Sequence, residues 1–166
     1  MKLILDSSAI LSGRFNTAEH EFYTSPTISQ EMQKSEMNVQ FSYLIDAGLR
    51  IMSPSYNTIE KVRASAKKTG DINRLSEPDI ELLSLALEID GVIVTGDYSI
   101  QNLACELNIP FLSPTEDEIQ NVITWQYQCK GCAQIFDKKE KECPICGSQL
   151  RFKPKSMKKA KISSSY

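Results

Sequence analysis

Four cysteines near one end of the chain constrain it more than any other feature. CKGC begins at Cys129, ten residues follow, and CPIC runs from Cys143 to Cys146, giving Cys129, Cys132, Cys143 and Cys146 the spacing C-x2-C-x10-C-x2-C. Four thiolates complete a zinc tetrahedron and leave no open coordination position, so the spacing predicts a structural ion, one per chain. Gly131 and Gly147 lie where tight knuckle turns need backbone freedom. The segments AQIFD and QLRFK alternate like strands of a small sheet. A zinc ribbon follows, because so few residues could hardly bury a sufficient core without the metal. The fifth cysteine, Cys105, sits in the apolar helical pattern NLACELNI and reads as a small core residue.

Charge divides the chain at about the same place. Residues 1–122 hold 9 Lys+Arg against 18 Asp+Glu, whereas residues 123–166 hold 10 against 3. Lys130, Lys138, Lys139, Lys141, Arg151 and Lys153 surround the knuckles and are candidates for contacting RNA phosphates. Trp125, Tyr127, Phe136 and Phe152 are interleaved with them. Those aromatics either stack on bases or form the ribbon's own core. MKLILD meets Asp6 too early for a secretory apolar segment, so the cytoplasm is the expected compartment.

The first 120 residues alternate short apolar runs with helical periodicity. KLIL, FYTSPTIS, LRIMSP, GVIVT and IPFLS read as strands. Helices are predicted from SQEMQKS onward and at NVQFSYLIDAG, NTIEKVRASAKKTG, SEPDIELLSLALEID and YSIQNLACEL. Strands alternating with helices predict an α/β domain with a mostly parallel sheet flanked by helices. The expected organisation is an α/β domain over 1–120, a ribbon with its linker strand over 121–154, and a basic, disordered tail over 155–166. Thr115–Glu118 reads as a capping box that opens a short helix or linker.

Four acids occupy related positions. Asp6 follows LIL, Glu31 follows PTIS, Asp79 lies in the first turn of a helix, and Asp97 follows VIVT. Each suits a helix N-terminus, where a carboxylate caps free N–H groups and meets the positive end of the dipole. Together they allow a second role. Crevices at the carboxyl ends of parallel strands are where sites form. Carboxylates gathered there call for a hard divalent cation such as Mg²⁺ or Mn²⁺. Such an ion activates water and supports displacement at phosphorus. No Walker loop or GxGxxG is present, and His20 is the sole histidine, so nucleotide-loop and triad chemistries find no support.

LDSSAI, SEPDIELLSLALE and VTGDYSIQNLA together resemble a PIN-domain nuclease. The ribbon added after them resembles the archaeal ribosome-assembly endonucleases of that family, over about residues 2–153. The resemblance implies Asp6, Asp79 and Asp97 as Mn²⁺ or Mg²⁺ ligands and Glu31, with Glu36 as its alternative, as a ligand or water-positioning base. Ser7 and Thr95 would orient carboxylates or the scissile phosphate. Gly96 stands where relatives often carry a second Asp. The implied activity is endonucleolytic cleavage of single-stranded precursor rRNA at the 3′ end of small-subunit rRNA during ribosome biogenesis. Precursor rRNA, the pre-ribosomal particle and other assembly factors are the implied partners. Two alternatives remain: a non-catalytic rRNA-binding assembly factor, and a toxin-type PIN ribonuclease acting on tRNA or mRNA.

Overall fold

The computed structural model describes residues 1–13, 19–34, 39–114, 121–138 and 140–159. Five parallel strands form the main sheet: β1 (Lys2–Leu5), β2 (Glu21–Thr24), β3 (Arg50–Ile51), β4 (Val92–Val94) and β5 (Phe111–Leu112). Their order is β3-β2-β1-β4-β5. Leu3–Leu5 of β1 and all of β4 are apolar, with Ile4, Leu5 and Ile93 fully buried, as strands covered on both faces require. Six helices among the described residues connect and cover them: α1 (Ser7–Ser12), α2 (Pro26–Lys34), α3 (Val39–Asp46), α4 (Tyr56–Thr69), α5 (Glu77–Ile89) and α6 (Tyr98–Leu107).

The helix boundaries follow from local chemistry. Ser55 caps α4, and Gly70 ends it at φ +84°. A short 3-10 turn, Asp71–Asn73, leads to Ser76, which caps α5 in a reciprocal capping box with Asp79. Asn108 ends α6 in the left-handed conformation.

The expected strand over FYTSPTIS is shorter than the apolar pattern suggested. It stops at Thr24, because Pro26 opens α2 and the Ser25 hydroxyl accepts the Ile28 N–H. Glu31 therefore lies on the second turn of a helix.

The last segment forms an antiparallel sheet in the order β7-β6-β8, from β6 (Asn121–Cys129), β7 (Ile135–Phe136) and β8 (Leu150–Lys159). Cys129 pairs with Leu150 and Tyr127 with Phe152, and the register slips between Thr124 and Trp125. The expected end of the ribbon at residue 154 is corrected here. β8 runs on to Lys159, because Asn121–Thr124 of β6 continue the ladder opposite Ser156–Lys159. Pro154, which cannot donate to a ladder, is tolerated on this edge strand. Glu36, Lys139, the Thr115–Glu118 box and tail residues 160–166 lie outside the described residues. No helix among the described residues is long and apolar enough to cross a membrane.

Candidate active site and zinc centre

Topology brings two of the acids together. β1 pairs with both β2 and β4, and the chain leaves β1 and β4 toward opposite edges of the sheet. The carboxyl ends of these two strands therefore open a crevice at the switch point. Leu5 is in register with Val94, and the Asp6 N–H donates to the Val94 carbonyl at 3.2 Å. Asp6 and Asp97 thus emerge from adjacent strand ends.

Asp6 is 8% exposed and held from every side. Its Oδ1 accepts from the Ser7 N–H at 2.7 Å and the Ser7 hydroxyl at 3.3 Å. Its Oδ2 accepts from the Ser8 hydroxyl at 3.0 Å and the buried Thr95 hydroxyl at 2.8 Å. Thr95 Oγ1 in turn accepts the Asp97 N–H at 3.0 Å. Asp97 Oδ1 caps α6 by accepting the Ser99 N–H at 2.6 Å. Gln101 braces the same turn, donating from Nε2 to the Thr95 carbonyl at 2.9 Å.

Asp79 enters from α5. Its Oδ2 takes both the Ser76 N–H and the Ser76 hydroxyl at 2.7 Å. Desolvation by burial raises its pKa above the ordinary carboxylate value. Hydrogen bonds from Ser76 oppose that rise, and the charges of Asp97 and Asp6 add to it. Three carboxylates from α1, α5 and α6 therefore share one electrostatic environment. Each is also a helix cap or first-turn acid, so capping and site-building coexist in the same residues.

No hydrogen bond among the described residues joins Glu31 to Asp6, Asp79 or Asp97. Glu31 is exposed on α2, with no hydrogen bond or ion pair among the described residues. Glu81, which carries no recognisable motif, touches α2 instead: its Oε2 accepts the Thr27 N–H at 3.4 Å and links α5 to the start of α2. Only helix packing reveals that role. Ser8 was also missed as a site residue. Its position two after Asp6, within the run Asp6-Ser7-Ser8, was the available signal.

The donor set of the crevice fits a hard cation. No Lys or Arg among the described residues forms an ion pair with Asp6, Asp79 or Asp97. Among the described residues only the cysteines form a group of three or more close-set ligand atoms, so the three acids do not by themselves close a cage. An octahedral Mg²⁺ or Mn²⁺ that keeps several waters suits such an arrangement.

The cysteines close tightly. All four sulfurs lie within 4.8 Å of one another, with Cys129 and Cys146 Sγ 3.3 Å apart and Cys132 and Cys143 Sγ 3.6 Å apart. Zinc–sulfur bonds of about 2.3 Å in a tetrahedron separate the sulfurs by roughly 3.8 Å, so the cluster can bind zinc. The N–H groups of Gly131 and Cys132 point at Cys129 Sγ from 3.3 and 3.4 Å. Hydrogen bonds from the Ser148 hydroxyl and N–H hold the Cys146 thiol down to about 6, favouring the thiolate that a metal needs. A Cβ on Gly131 would collide with the Ser148 hydroxyl.

Arg151 and Lys153 alternate along β8 with Phe152 and so lie on the opposite face of the ribbon sheet from the aromatics. Arg151 and Lys153 are exposed and pair across the ladder with Gln128 and Gln126. Lys130, Lys138 and Lys141 are also exposed. Trp125, Tyr127 and Phe152 occupy the other face and pack on one another, with ring centroids 6.1 Å and 5.0 Å from Phe152. Tyr127 is buried in this packing, whereas Phe152 stays 38% exposed.

A family model described as the PIN domain of ribonuclease matches residues 3–89. The chain belongs to the PIN-domain ribonucleases. Ribonuclease VapC1 of Thermoplasma acidophilum is 36% identical over 91% of this chain and 77% of that protein. Endoribonuclease Nob1 of Pyrococcus abyssi is 35% identical over 93% of this chain and 95% of that protein. The 20S-pre-rRNA D-site endonuclease NOB1 of Saccharomyces cerevisiae is 31% identical over 60% of this chain and 22% of that protein. Alignments that cover nine-tenths of the chain run through the PIN domain and all four cysteines.

Proposed function

We propose that this PIN-domain protein is an endoribonuclease that cuts single-stranded precursor rRNA at the 3′ end of small-subunit rRNA, within a pre-ribosomal particle in the cytoplasm. The observation that carries the chemistry is the gathering of Asp6, Asp79 and Asp97, with the Thr95 hydroxyl bonded to both Asp6 and Asp97. The name of the yeast relative, a 20S-pre-rRNA D-site endonuclease, supports the substrate class, and that of the archaeal relative supports the endoribonuclease activity.

In this reading Asp6, Asp79 and Asp97 hold Mn²⁺ or Mg²⁺, which when bound activates water and stabilises charge developing at phosphorus. Ser7, Ser8 and Thr95 keep the Asp6 carboxylate aimed. Glu31, exposed on α2, would serve as a base or outer ligand in the loaded state. The products are a 3′-hydroxyl and a 5′-phosphate. Zinc at the four cysteines is structural. Lys130, Lys138, Lys141, Arg151 and Lys153, all exposed, together with Lys139, supply phosphate affinity that an acidic crevice cannot.

The deciding experiment incubates the protein with RNA spanning the mature 3′ end of small-subunit rRNA, with Mn²⁺ or with EDTA, beside Asp97→Asn. The expected result is metal-dependent cleavage at one position, lost in the variant while its circular dichroism is unchanged, since Asn also caps helices. Tight RNA binding without cutting under any divalent ion would mean an assembly factor instead. The VapC1 relative motivates one further arm: cleavage of tRNA or mRNA in preference to the rRNA substrate would establish the toxin-type activity.

A further inference from the structure

The ribbon is gripped by the PIN domain, and the grip starts on the helix that carries a catalytic acid. Asn102, 5% exposed on α6, reads both backbone groups of Ile123 in β6. Its Nδ2 donates to the Ile123 carbonyl at 2.8 Å, and its Oδ1 accepts the Ile123 N–H at 2.6 Å. A side-chain amide here does what a neighbouring strand would do, and it recognises the backbone in one position only. The orientation of Asn102 is itself enforced. Its Nδ2 also donates to Asp71 Oδ2 at 2.9 Å, and Asp71 is fully buried with its Oδ2 accepting the Thr69 hydroxyl at 2.6 Å.

Contacts around this point extend the seam. Gly70, at φ +84°, lets the two chains meet: a Cβ there would stand 2.8 Å from the Trp125 carbonyl. Arg74 stacks over the Trp125 ring at 4.2 Å and lies 5.7 Å from the Phe152 centroid. Asn73 donates to the Tyr127 hydroxyl at 2.7 Å. A freely tethered ribbon would need none of these.

α6 begins at Asp97 and holds β6 at Asn102, five residues and about 7.5 Å further along the axis. The basic face of the ribbon is therefore coupled through one rigid helix to the acid crevice. We infer that Asn102, oriented by Asp71 and assisted by Arg74, is a positioning residue that fixes the ribbon at a set distance from the crevice and so selects which phosphodiester is cut. This rests on the nuclease reading above.

The test uses the full chain with zinc bound, as wild type, Asn102→Ala, Arg74→Ala and Arg74→Lys. Amide ¹⁵N relaxation measures whether PIN and ribbon residues tumble with one correlation time. Cleavage mapping on the rRNA 3′-end substrate measures where cuts fall, and a short unstructured RNA measures the chemical rate. The expected result is one correlation time and one cut in the wild type. In Asn102→Ala, ribbon amides should tumble faster and cuts should spread to neighbouring positions, with the rate on the short RNA unchanged. The exposed Arg74→Ala variant, which spares the buried network, should show the same trend more weakly, and Arg74→Lys should restore part of the precision.

Independent tumbling in the wild type, or a single unchanged cut in both alanine variants, overturns the inference. A wild type that tumbles as one body but cuts no RNA sinks the nuclease reading and with it the choice of scissile bond, while the docking stands.

Discussion

The Thr95 hydroxyl donates to Asp6 Oδ2 across 2.8 Å, joining residues 89 positions apart at the ends of adjacent strands. The same oxygen accepts the Asp97 N–H. One buried hydroxyl thus sets the distance between two carboxylates of the crevice.

Replacing it should be costly to activity out of proportion to its size. Thr95→Val keeps the shape and leaves Asp6 short of a buried donor, which should cost about 1–3 kcal/mol of stability. Cleavage should fall by on the order of 10²-fold, the loss expected when a reacting group moves by about 1 Å. Thr95→Ser should retain most of both. Thermal denaturation and single-turnover cleavage measure the two effects separately, and a Val variant with wild-type rates would remove Thr95 from the site.

Asp79 makes the metal-free protein sensitive to pH. Its pKa is raised chiefly by desolvation and further by Asp97 and Asp6. A carboxyl raised in the folded state contributes stability below its unfolded pKa and loses that contribution as pH climbs through the folded value. Asp79→Asn should therefore raise the metal-free Tm at neutral pH, with the gain shrinking toward acid pH. Mn²⁺ should raise the Tm of the wild type and do much less for the variant. Calorimetry with and without Mn²⁺ at two pH values checks both.

Asp71 should behave in the same direction for a different reason. Burial pushes it up, against hydrogen bonds from Thr69 and Asn102, the Arg74 charge and Trp125. Asp71→Asn, with its amide oxygen toward Thr69 and Asn102, should stabilise the protein at neutral pH and lose that advantage in acid. Equal Tm gains at both pH values would show that desolvation of the carboxylate is not the cause.

Zinc removal should divide the chain. A thiol-reactive chelator should yield one zinc per protein by metal analysis and abolish hydrogen-exchange protection in β6, β7 and β8. The five-stranded sheet should stay protected, because its core residues, among them Ile4, Leu5 and Ile93, are buried independently of the ribbon. Amides of α6 near Asn102 should show a modest loss, since the Ile123 contact goes with the ribbon. Global unfolding on chelation would mean that the PIN domain depends on the ribbon.

The candidate site residues stood out in the chain because each sits in a local pattern. Asp6 and Asp97 follow short apolar runs, Asp79 lies in a capping box, and the cysteines keep fixed spacings. Period-two and helical patterns likewise outlined the strands and helices, because those periodicities come from the backbone itself. Where two local signals competed, as at FYTSPTIS, proline chemistry overrode apolar character and the strand ended early.

Contacts between distant segments followed no such pattern. Nothing near Asn102 announces a hydrogen bond to Ile123, 21 residues on, and nothing near Trp125 says that its ring meets Arg74 rather than a base. Glu31 followed its strand-like run in the expected way, yet packing left it on the exposed face of α2. By itself the sequence determined where the short apolar runs, the helix caps and the four cysteines lie. Only the tertiary structure decided which of the acids share a crevice and how the ribbon is held against it, because side-chain packing across elements, not periodicity along one element, sets those distances.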